Sequence, residues 1–105
     1  MDDQLLLLRK GSYAAGMKHD QALRNCSDAL LGRDYAAAEL AVAHHTEVAD
    51  QYGKALLRLA EHLATLDQSV EVVDEAKRVQ RLLELLDSEV ETVQRRLDRL
   101  TKTSD

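Results

Sequence analysis

Residues 63–73 read LATLDQSVEVV, and the fold turns on how this stretch is read. Upstream of it, Tyr35, Ala38, Val42, His45, Ala49, Tyr52, Leu56, Leu59, Leu63 and Leu66 succeed one another at alternating spacings of three and four. That spacing keeps one stripe of a helix against a partner helix. Downstream, Val72, Ala76, Val79, Leu83, Leu86, Val90, Val93, Leu97 and Leu100 form a second such series. The two are out of phase: the first register, carried on past Val70 and Val73, meets Lys77, Gln80, Glu84 and Asp87, all polar. Ser69 is placed to cap a new helix and Glu71 suits its first turn. The stretch therefore reads as a tight turn between two antiparallel helices. The competing reading is one continuous helix with a slip in register.

Working upstream, Leu30-Leu31-Gly32-Arg33-Asp34 has the form of a helix stop followed by a start. Gly32 suits the left-handed position after a helix, and Asp34 suits an N-cap. The segment before it carries Tyr13, Met17, Ala22, Leu23, Cys26, Ala29 and Leu30 in a less regular pattern, interrupted early by Gly16. The expected fold is all-α, with three long helices over about 12–31, 35–66 and 70–101. They form an antiparallel helical bundle or coiled-coil hairpin, expected to be oligomeric. Residues 1–11 are an N-terminal segment that could extend the first helix, 12–101 a single domain, and 102–105 a polar tail. Ala41, Val48 and Ala55 widen the apolar face of the second helix, which makes it the centre of the bundle.

Composition narrows the function. The only aromatic residues are three tyrosines, so the apolar side chains are Leu, Val and Ala, which fill narrow seams better than a thick core. Fourteen basic and 19 acidic residues are well mixed, for a net charge of −5. With no basic cluster larger than Arg95-Arg96, neither nucleic-acid binding nor membrane binding is expected. The start, MDDQLLLLRKG, is too short and too acidic for a signal peptide. A single cysteine, Cys26, rules out an internal disulfide and fits a reducing compartment. A cytoplasmic protein is the expectation.

Three of the four histidines, His44, His45 and His62, lie between residues 41 and 66. His45 falls on the seam, where an imidazole is read first as a packed group bonded to one neighbour, and second as a device that fixes register. His62 edges the seam. No Glu-x-x-His or His-Glu-x-x-His pattern occurs, so no metal ligands and no cofactor are expected. Cys26 reads as a small buried hydrophobe, and no catalytic residues are assigned. The candidate interaction seam comprises Tyr35, Val42, His45, Tyr52, Leu56, Leu59, Leu63, Leu66, Val79, Leu83, Leu86, Val90, Val93, Leu97 and Leu100.

Three helices in a chain of this length resemble a spectrin-type repeat in outline. The run VADQYGKALLRLA (48–60) is similar to the long helices of BAR-type dimerisation modules, which would imply a membrane-associated dimer. The cationic concave face of that family has no counterpart here, and no family is assigned. The expected function is a non-enzymatic protein–protein interaction or scaffolding module. It would dimerise or join a larger coiled-coil complex, its partner being itself or another helical subunit. The alternatives are the BAR-like module and a metal-binding helical bundle.

Overall fold

A computed structural model describes residues 2–103. It is all-helical: α1 spans Asp3–Leu31, α2 Tyr35–Leu63 and α3 Val70–Thr103. Each start is capped by a short polar side chain that accepts an otherwise unpaired backbone N–H. Asp2 Oδ1 accepts from Leu5 N–H at 3.0 Å, Asp34 Oδ1 from Ala37 at 3.3 Å and Ser69 Oγ from Val72 at 3.3 Å. Lys102 and Thr103 of the polar tail continue α3, and Ser104 and Asp105 lie outside the described residues.

The N-terminal segment extends the first helix, which begins at Asp3, so Gly11 as well as Gly16 sits inside it. Each glycine costs a helix interior about 1 kcal/mol relative to alanine, a cost that tertiary packing readily overrides. The second helix ends at Leu63 rather than Leu66. The Gln68 amide turns back to donate to the carbonyls of Leu63 and Leu66 at 3.2 and 2.7 Å, covering acceptors that would otherwise continue the helix. The turn after α1 also differs: Gly32 keeps a right-handed conformation (φ −71°), and Arg33 takes the left-handed one (φ 57°).

The bundle is elongated, its Cα atoms extending over 57 × 19 × 15 Å. Helix α2 packs along both others, whereas the backbones of α1 and α3 approach closely at few points. Side chains mark the alignment. Asp2 meets His62 and Ser12 meets the Ala55 carbonyl, while Arg9 meets Glu75 and His19 meets Glu89. The buried face of α1 follows Ser12, His19 and Cys26, seven residues apart, with Ala22 and Leu30. Tyr13 and Met17, which the sequence reading grouped with the apolar positions, project outward at 72% and 59% exposure. They lie to one side of that heptad line, Tyr13 lining a cleft that it shares with Arg9, Glu75 and Leu82.

The apolar core is in two parts. Toward one end Cys26, Leu30, Ala38, Val42, Val93, Leu97 and Leu100 pack together. Toward the other, Leu56, Leu59, Leu63 and Val79 are buried beneath Leu5, Leu8, Tyr52 and Leu83. Among the described residues no helix is long and apolar enough to cross a membrane.

Candidate functional site

Between the two apolar clusters lies a polar layer, built from one residue on each helix. His19 comes from the heptad line of α1 and His45 from the seam of α2. Glu89 comes from α3, on the flank between Leu86 and Val93. Glu89 Oε1 accepts from His19 Nε2 at 2.5 Å and from His45 Nε2 at 2.9 Å. His19 and His45 are buried, the latter completely, while the Glu89 side chain keeps 28% of its surface. The imidazole ring centroids stand 5.5 Å apart, and the Tyr52 ring packs against His19 at 5.3 Å.

The second nitrogens of the two rings differ. His19 Nδ1 faces Asp20 Oδ1 at 3.4 Å, whereas His45 Nδ1 is buried with no hydrogen-bond partner. An orphaned buried polar atom of this kind costs roughly 1–3 kcal/mol. Burial, and then the negative charges of Asp20 and Glu89, push the Tyr52 phenol up, so a neutral ring packs against His19. Burial likewise pushes the Cys26 thiol up, with Arg96 opposing, which leaves it a packed thiol rather than a nucleophile. The Ser12 hydroxyl is committed to backbone carbonyls, donating to Leu8 at 2.9 Å and approaching Ala55 at 3.4 Å.

The seam residues named from sequence lie within the chain's own bundle. Val42, His45, Leu56, Leu59, Leu63, Val79, Leu86, Val93, Leu97 and Leu100 are buried. Tyr35, Tyr52, Leu66, Leu83 and Val90 are half-buried at its margins. Of the other histidines, His44 is exposed, and His62 donates from Nε2 to Asp2 Oδ2 at 2.8 Å. The Leu5 backbone N–H, followed by His62, holds Asp2 below the usual carboxylate range.

A second feature is a groove of about 350 Å³ between α2 and α3. Ala49, Gly53, Leu57, Leu83, Leu86 and Val90 supply its apolar surface, and Thr46, Asp50, Lys54 and Asp87 complete its lining. Leu57 is half exposed there. The groove between α1 and α2 is different in kind, lined mainly by Lys18, Gln21, Asn25, His44, Glu47 and Gln51.

The sequence reading assigns no role to His19 or Glu89. The spacing Leu5, Ser12, His19, Cys26 was the available signal, since it puts an imidazole on the inward line of α1 as His45 is on α2. Comparison with protein-family models, with curated proteins and with solved structures finds no match to the chain.

Proposed function

We propose that the chain is a non-enzymatic protein–protein interaction module, an antiparallel three-helix bundle that associates with a second copy of itself through the α2–α3 groove. One observation carries this reading. The seams that the sequence marks for association are largely consumed inside the bundle, yet Leu83 and Val90 are only half covered, and they open with Leu57 onto a shared apolar surface. Gly53 lowers the wall of that surface: a Cβ there would already touch the Leu86 side chain at 3.6 Å. A helix laid along the groove would cover Leu57 and complete the burial of Leu83 and Val90. Each large aliphatic side chain fully buried contributes about 1.5–3 kcal/mol. The Asp50–Lys54 pair and Asp87 at the rim would favour a register that meets them with opposite charge.

Light scattering after size-exclusion chromatography tests the reading. The expected result is a dimer that Leu57→Asp converts to a monomer without loss of helical circular dichroism. A chain that stays monomeric at about 1 mM, where association is weaker than roughly −4 kcal/mol, overturns it.

A further inference from the structure

We infer that His19, His45 and Glu89 form a binding site for a single divalent first-row transition cation of the zinc class, held between the three helices. This site is separate from the α2–α3 groove, and it stands or falls independently of self-association. The nearest donor atoms of the three side chains all lie within 4.8 Å of one another, one from each helix. Two imidazoles and one carboxylate form a nitrogen-rich, borderline donor set, which suits zinc, copper, nickel or iron and discriminates against magnesium and calcium.

Three further observations point to an ion rather than to a hydrogen-bonded layer alone. First, the ion-pair partners of Glu89 among the described residues are the two histidines; no Lys or Arg neutralises it. A divalent cation would complement the carboxylate charge. Second, His19 already has the outer partner that metal-bound histidines use. Its Nδ1 faces the Asp20 carboxylate, so moving the ring proton to Nδ1 frees Nε2 for the metal and leaves Nδ1–H aimed at an acceptor. Third, the layer interrupts an apolar core and holds the His45 imidazole fully buried there. Stability alone would favour an aliphatic residue there, and violations of that kind mark functional positions.

The rearrangement required opens the two contacts to Glu89 and closes the imidazole nitrogens, now within 4.8 Å, by up to about 1.4 Å. Zinc–nitrogen and zinc–oxygen bonds near 2.0–2.2 Å place tetrahedral ligand atoms roughly 3.4 Å apart. The present Nε2 to Oε1 separations of 2.5 and 2.9 Å would open by less than about 1 Å. Glu89 keeps 28% of its side-chain surface, so of the hydrogen-bonded pair it is the member open to solvent. Three protein ligands leave the remaining position to water.

Titration calorimetry of the untagged chain with zinc, together with the visible spectrum of cobalt added in its place, tests the site. The expected result is saturation at one ion per chain and no response to magnesium. Glu89→Gln and His19→Gln should abolish saturable binding, and the exposed Asp20→Asn should weaken it about 10- to 100-fold. His44→Gln and His62→Gln should leave it unchanged. Should Glu89→Gln or His19→Gln fail to fold by circular dichroism, Asp20→Asn decides, because Asp20 contributes no core packing. Absence of saturable zinc binding in the wild type overturns the site. So does binding that survives Glu89→Gln, that is unaffected by Asp20→Asn, or that disappears with His44→Gln or His62→Gln; each would assign the layer to packing and register.

Discussion

The ring of Tyr52 occupies the space that a side chain at Gly16 would enter. A Cβ on Gly16 would lie 3.3 Å from Cε1, Cζ and Oη of Tyr52, and the same ring packs against His19 with centroids 5.3 Å apart. Tyr52 therefore has little freedom to give way. Gly11, five residues earlier in the same helix, faces nothing within 4 Å. Both sites are helical, so alanine gains about 0.5–1 kcal/mol from backbone entropy at either one. Gly11→Ala is expected to realise that gain. Gly16→Ala is expected to fall short of it by about 1 kcal/mol or more, as overpacking opposes the entropic term. Equal urea midpoints for the two variants would show that Tyr52 is not fixed in place.

Arg33 holds the left-handed conformation that ends the first helical hairpin turn, with φ 57°. For a residue with a Cβ this costs roughly 1–2 kcal/mol, and glycine escapes it at some expense in unfolded-state entropy. Arg33 also shares a cleft with Arg96 and Arg99, so its removal thins out like charge. Arg33→Gly is expected to stabilise the protein by about 0.5–1 kcal/mol, read from equilibrium urea unfolding. A loss of stability would show that the arginine side chain contributes more than the strain costs.

Arg9 and Glu75 join α1 to α3 by a bidentate contact, with Arg9 Nε donating to Oε2 at 2.9 Å and Nη2 to Oε1 at 2.5 Å. That guanidinium holds the Glu75 carboxyl below its ordinary value of 4.5. A carboxyl with a depressed folded-state pKa contributes stability that is fully present above the unfolded value and is lost as pH falls through the folded one. Wild type should therefore be more stable than Glu75→Gln above about pH 5, and the two melting curves should converge on acidification below pH 4.5. Half of the Arg9 side chain is exposed, so added salt should shrink the difference. A difference that is constant from pH 2 to 7 would remove the ion pair as its cause.

The long seams of α2 and α3 were legible because their spacing belongs to single helices and needs no knowledge of neighbours. So were the caps at Asp34 and Ser69, where a polar side chain precedes an apolar repeat. The sequence leaves the early start of α1 undecided because Gly11, with Gly16 soon after it, has an intrinsic preference that opposes a helix which packing against α2 sustains. The polar layer was harder still. His19, His45 and Glu89 are 26 and 44 residues apart along the chain, and their meeting depends on how the turns at 32–34 and 64–69 align three helices axially. A heptad pattern fixes which face turns inward but not which layer faces which.

The two roles open to the polar layer make opposite demands on His45. Without metal, His45 brings one bond to Glu89 and one orphaned nitrogen into a fully buried position. Leucine has a similar volume, removes the orphan, and does not strand Glu89, which keeps His19 as a partner and part of its surface in water. Removing one partner of a buried pair is costly when the other is left uncompensated, which the bond to His19 and the exposure of Glu89 avoid here. In the presence of a chelator, His45→Leu is therefore expected to raise stability by about 1 kcal/mol. With zinc added the order should reverse. A ligand that binds only the folded state stabilises by about 2.7 kcal/mol at a hundredfold excess over its dissociation constant, and only the wild type retains all three donors. The measurement is the melting temperature of both proteins with chelator and across a zinc titration. Crossing curves are the expected outcome. Wild-type stability that ignores zinc would leave the layer as a register device, and a variant that melts lower in chelator would show that the His45–Glu89 bond outweighs the cost of its orphaned nitrogen.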